Sequence, residues 1–158
     1  MKRSPLTPLL LAVGILACAG DSVSPELGQL VGNWRPPTVQ LQPQGTMDGL
    51  FVVMANGATE NHVISRGLYG QSADELSMES VLHGHIGISG DKFLITPDSL
   101  VTHDVFYGPS HREVQRDFSA WPRDSTRFAI QANVLQLEFY SYHADAPVLT
   151  RQVLYRVR

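Results

Sequence analysis

The last third of the chain alternates apolar and polar residues. Phe128 and Ile130 alternate with Ala129 and Gln131; beyond Ala132-Asn133, Leu135, Leu137 and Phe139 alternate with Gln136, Glu138 and Tyr140. Asp145-Ala146-Pro147 then predicts a turn into a last strand on which Val153, Tyr155 and Val157 share a face. Successive side chains of a strand point to opposite faces, so a period of two gives each strand one buried and one wet face. That is the habit of antiparallel sheets. On this reading the triplet Val153, Tyr155 and Val157 faces the core.

Turn signals recur upstream at intervals suited to an all-β sandwich or barrel. Pro36-Pro37 and Pro43-Gln44-Gly45 bracket the short segment Thr38–Leu41. Asn56-Gly57, after Leu50-Phe51-Val52-Val53-Met54, is the strongest hairpin signal in the chain. Gly90-Asp91 separates Leu82–Ile88 from Phe93–Thr96, and Pro97-Asp98-Ser99 predicts a further turn before Leu100–Tyr107. Two segments carry a capping-box spacing. Ser72-Ala73-Asp74-Glu75 is read as the start of a short helix to about Ser80, and the segment after Ser110-His111-Arg112-Glu113 as strand.

Composition narrows the functional classes. The chain has 158 residues, 43% of them hydrophobic and 17% charged, which suits one globular domain. Ten prolines and 13 glycines suit a turn-rich sheet protein better than a helical bundle. The net charge is −3, and only Lys2 and Lys92 are lysines. Nucleic acid is therefore not an expected partner, because that binding rests on a basic surface. The single cysteine, Cys18, excludes an internal disulfide framework and any multi-cysteine zinc site.

The N-terminus changes the picture. Met1-Lys2-Arg3 followed by the apolar run Leu9–Ala17 has the layout of a secretory signal. The run is too short to span a bilayer, which takes about 20 apolar residues. Two cleavage readings compete. Ala17-Cys18-Ala19 fits ordinary signal peptidase, releasing a soluble secreted or periplasmic chain. Ile15-Leu16-Ala17-Cys18 resembles the bacterial lipobox, with Leu16 where a smaller residue is usual. The lipobox reading makes residues 1–17 a signal peptide and residues 18–26 a lipidated Cys18 with a polar tether, leaving 27–158 as the domain. Removing residues 1–17 takes Lys2 and Arg3 and no acid, so the charge of −3 becomes −5. The resemblance implies a membrane anchor through acyl chains on Cys18. With Ala19 after the cysteine, it implies an outer-membrane lipoprotein of the cell envelope.

Leu30-Val31-Gly32-Asn33-Trp34 opens the domain with a Gly-x-Trp pair that resembles the lipocalin and lipocalin-like signature. His85–Lys92 is similar to a strand-turn of that family, although His85 and Ile86 depart from its usual aromatics. Arg127–Ile130 with Asn133–Leu137 is similar to its penultimate hairpin. The resemblance implies an all-β, antiparallel, about eight-stranded lipocalin-like barrel, with Gly32 and Trp34 as structural residues at its base. If the barrel holds a ligand, it is a small apolar molecule lined by Phe93, Ile95, Phe128, Ile130, Leu137 and Phe139. The favoured reading of each is plain core. The competing reading is a solid barrel that binds another envelope protein.

Candidate chemistry is sparse. His83-Gly84-His85 puts two imidazoles on one face, and His62 or His103 could complete a metal set. Alternation places His83 and His85 opposite Leu82, Ile86 and Ile88, toward water, so no metal is expected. His103 and Asp104 are adjacent in a strand and point apart. No nucleophile elbow, Walker loop, dinucleotide fingerprint or His-Glu-x-x-His occurs, so neither catalysis nor a cofactor is expected. Arg112, Arg116, Arg123 and Arg127 are interleaved with Glu113, Asp117 and Asp124 as a mixed surface. Tyr140 and Tyr142 share a polar face and read evenly as a binding surface or as loop packing.

Overall fold

Ten strands form one antiparallel sheet that closes on itself. The computed structural model describes residues 25–41, 44–108, 111–143 and 146–158; residues 1–24, with the expected signal and Cys18, lie outside the described residues. A short helix α1 (Pro25–Leu30) leads into β1 (Gly32–Arg35) and β2 (Val39–Leu41). Then come β3 (Gly45–Val53), β4 (Ala58–Arg66), β5 (Leu76–Ser89) and β6 (Lys92–Asp104). A 3-10 turn at Val105–Tyr107 precedes β7 (Arg112–Gln115), β8 (Thr126–Gln131), β9 (Val134–His143) and β10 (Ala146–Val157). The ring runs β1-β3-β4-β5-β6-β8-β9-β10 and returns to β1, giving the expected eight-stranded barrel. β2 and β7 lie outside it as short additions to β3 and β6.

The hairpin signals act locally. Asn56-Gly57 joins β3 to β4, and Gly90-Asp91 is a two-residue loop between the paired Ser89 and Lys92. The expected strand after His111 is β7.

Three expectations are corrected. Ser72–Glu75 makes its local bonds, Glu75 N–H to Ser72 O at 2.9 Å and Ser72 N–H to the Glu75 carboxylate at 3.3 Å. They close a turn that feeds β5, and the short helix of the fold is α1 instead. Pro97-Asp98-Ser99 does not turn the chain. β6 runs through it, with Asp98 as the extra residue where Gly84 pairs Pro97 and His83 pairs Ser99. Proline removes one ladder donor, and a bulge absorbs that defect without reversing the strand. Gly84 makes the close approach feasible, since a Cβ there would stand 2.6 Å from Thr96 O.

The third correction concerns β10. Val153 and Tyr155 are 39% and 51% exposed, while Leu154 between them is 3% exposed. The ladder decides this: Gln152 pairs Leu137 and Leu154 pairs Leu135, and paired residues share a face. β10 therefore presents Thr150, Gln152, Leu154 and Arg156 to the interior, and its apolar triplet to the outside.

The core lies at one end of the barrel. Leu30, Trp34, Phe51, Val53, Phe93, Leu135, Leu137 and Leu154 are buried together, with Phe93 bridging Phe51 and Phe128 at centroid distances of 6.2 and 5.7 Å. At the other end the ring is loose, because β6 and β8 pair only through Lys92–Arg127 and Phe93–Thr126.

The inverted face of β10 is testable by urea unfolding. Leu154→Ala should cost about 2–5 kcal/mol as a core truncation. Val153→Thr, more apolar in pattern but outside, should stay within about 0.5 kcal/mol of the parent. The reverse ranking would restore the face expected from the sequence.

Candidate functional site

Above the buried core the barrel keeps a cavity of about 290 Å³. Its apolar wall comes from inward positions of five strands: Phe51, Val63, Phe93, Ile95, Leu137, Phe139 and Leu154. Pro36 and Pro37, at the break between β1 and β2, cover the side next to Gly49. Asn61, Thr126 and Gln152 add neutral polar groups. Pairing places all three inward, Asn61 opposite Phe51, Thr126 opposite Phe93 and Gln152 opposite Leu137. Among the described residues, no hydrogen bond engages these three side chains.

Val39, Met47 and Leu50 add further apolar lining, and two ionisable residues, Asp48 and His62, also border the cavity. Alternation turns both outward. The Thr38 hydroxyl donates to Asp48, and His62 Nε2 lies 3.0 Å from Glu60 Oε2. The interior is thus graded, apolar at the base and neutral-polar toward the mouth. Ser80–Thr102 at 3.3 Å and Ser141–Thr150 form hydroxyl pairs on the inner face there.

The sequence-predicted lining divides. Phe93, Ile95, Leu137 and Phe139 line the cavity; Phe128 and Ile130 pack against the buried core instead. Phe51, Val63, Asn61, Thr126, Gln152 and Leu154 were not singled out. Register propagated from the Asn56-Gly57 hairpin would have found Phe51 and Asn61, which pair across it.

Gly32 and Trp34 sit at the closed end, where Trp34 is fully buried. Trp34 Nε1–H donates to Leu30 O at 2.7 Å, and Arg156 lies 4.2 Å above the indole centroid. Gly32 has φ +138°, and a Cβ there would stand 2.9 Å from Arg156 Nη1. The positive φ is what calls for glycine here; a Cβ would also press on the end of the Arg156 side chain.

His62, His83, His85 and His103 lie on the outer face of the barrel. Glu60 engages His62 through Oε2 and His83 through Oε1, the latter at 3.6 Å. His85 Nδ1 meets Asp98 Oδ2 at 2.7 Å on the bulge. His103 pairs Arg112 across the ladder, whereas Asp104 caps the 3-10 turn by accepting from Phe106 N–H. Among the described residues no group of three or more His, Cys, Asp or Glu is arranged to hold a metal. The four arginines form no single patch: Arg127 pairs Asp91 and Glu138, while Arg116 and Arg123 line a neighbouring groove with Trp121 and Asp117 that shares Ile95 with the cavity. In that groove hydrogen bonds from the Ser119 backbone and hydroxyl hold the exposed Asp117 carboxyl below its ordinary value. Tyr140 is exposed, and the side chain of Tyr142 lies outside the described residues.

No protein-family model matches this sequence, and no curated protein matches it.

The Glu60 pairing with two histidines should not bind metal. Excess Zn²⁺ should leave the melting temperature unchanged, since only a ligand of the native state stabilises it. A rise abolished by His83→Ala would assign a metal centre to Glu60, His62 and His83.

Proposed function

We propose that this is a lipocalin-like, lipid-anchored cell-envelope protein that holds a small apolar molecule inside its barrel and performs no catalysis. The cavity carries the reading. Its 290 Å³ falls just below the range of drug-sized ligand sites, roughly 300–1,000 Å³, which suits only a small ligand. It is built like such sites, with mostly apolar and aromatic walls and a few neutral polar groups. The closed base under Trp34 and Arg156 supports the lipocalin-like assignment, with the Gly-x-Trp pair on β1. Anchoring rests on the sequence alone, on the lipobox-like Ile15–Cys18. Acyl chains contribute about 0.8 kcal/mol per buried methylene, and stable anchoring takes more than one chain. The same resemblance supports an outer-membrane location.

A second reading has its own observation. Val153, Tyr155 and Val157 form an exposed apolar stripe on the outer face of β10; Leu149 and Tyr140, also exposed, lie beyond the Arg151–Glu138 ion pair. Such a stripe suits contact with another envelope protein.

Two measurements decide. 1-Naphthylamine, an uncharged two-ring fluorophore, should brighten and shift to the blue on binding, and Phe139→Ala should weaken it about tenfold, as expected for loss of a buried aromatic contact. No binding, or binding unaffected by Phe139→Ala, would exclude the cavity as the site. Mass spectrometry of the protein from bacterial envelopes should find Cys18 N-terminal and acylated; an unmodified start at Gly20 would remove the anchor.

A further inference from the structure

The cavity has apolar walls and neutral polar groups, and among its described lining residues no charged side chain turns inward. Phe51, Phe93, Ile95, Leu137, Phe139 and Leu154 supply a surface for a flat apolar body. Asn61, Thr126 and Gln152 supply amide and hydroxyl groups with no described hydrogen-bond partner. The ionisable lining residues, Asp48 and His62, are turned outward and held by Thr38 and Glu60. Arg156, the inward cation of β10, donates to Val31 O and Gln29 O at 2.8 Å each and lies over Trp34 at the closed end. A buried charge without a partner is strongly disfavoured, whereas a hydroxyl, carbonyl or amide needs only one matching group.

Size narrows the class further. An apolar cavity of about 150 Å³ accommodates one benzene ring. The present cavity, about 290 Å³, is close to twice that, which fits a two-ring molecule.

We infer that the barrel selects uncharged, two-ring amphipathic molecules bearing a single hydroxyl, carbonyl or amide, and rejects carboxylates, fatty acids included. This rests on the reading that the cavity is a ligand site. The polar end of the ligand meets Asn61, Thr126 and Gln152, and its rings lie against Phe51, Phe93 and Phe139.

The test is a matched pair on the full domain. 2-Naphthol and 2-naphthoate share a ring system and differ in charge at neutral pH. Each competes with bound 1-naphthylamine. The naphthol should displace it at least about 30-fold more tightly than the naphthoate, the scale of an unpaired buried charge. Gln152→Arg, placing a guanidinium in the wall, should narrow or reverse that ratio. If 1-naphthylamine binds but naphthoate competes as well as naphthol in the parent protein, the selectivity is wrong and the ligand site stands. If 1-naphthylamine does not bind, the ligand site itself falls, and the selectivity with it. Should Gln152→Arg not fold, as read by near-ultraviolet circular dichroism, the parent's ratio alone decides.

Discussion

Arg156 holds the base of this barrel and fixes what the rest of it can contain. A helix leaves its last carbonyls without intrahelical donors, and α1 ends where β1 must begin. The guanidinium closes that gap. Its two terminal nitrogens donate to Gln29 O and Val31 O, the Trp34 indole donates to Leu30 O between them, and the cation lies on the indole face. Hydrogen bonds from a charged donor contribute about 1.5–3 kcal/mol each, and a cation over an indole about 0.5–2. A lysine has no planar fork with which to reach two carbonyls from above a ring. The contact joins the first and last strands, which also pair along Asn33–Arg35 and Tyr155–Val157.

With Arg156 inward, the parity of β10 is set. Leu154, Gln152 and Thr150 follow it inside, and Val153, Tyr155 and Val157 go out. A slip of one residue would exchange the faces. The other seam of the barrel is weak by comparison. β6 leaves β8 after two pairs and takes β7 as its neighbour from Leu100 to His103. The ring is tight and apolar at the Trp34 end and loose at the other, which gives the cavity an entrance.

Local turn chemistry and the alternation of β8 and β9 were legible in the sequence because each depends on near neighbours. Asn56-Gly57, Gly90-Asp91 and the inward row Leu135, Leu137, Phe139 follow from propensity and period alone. β10 was not legible, because both of its faces carry apolar residues and the choice lies with Trp34 and α1, more than 120 positions away in the chain. Pro97 misled for a similar reason. A proline after a strand reads as a stop unless the opposite residue, Gly84, is known to admit a bulge. The cavity residues were half legible. Phe93, Ile95, Leu137 and Phe139 showed themselves by alternation, while Gln152 was hidden by the misread face, and Asn61 by lying in a strand, β4, whose apolar residues do not alternate.

The inverted strand and the open interior have one cause. Burial alone would favour Val153 and Tyr155 inside, since fully burying a side chain of the Val or Phe class contributes about 1.5–3 kcal/mol. Placed inward, they would fill the space that Gln152 now borders. The Arg156 contacts oppose that arrangement, and the chain keeps a strand whose inner face reads Thr-Gln-Leu-Arg. Gln152 then stands in the wall opposite Leu137, its amide without a hydrogen bond among the described residues, and packing that amide onto the apolar floor would bury it unpaired. The same register leaves Tyr155 and Val157 in solvent beside Arg35 and Asn33. The polar wall inside and the apolar stripe outside are two faces of one strand, held in place by the residue at its foot.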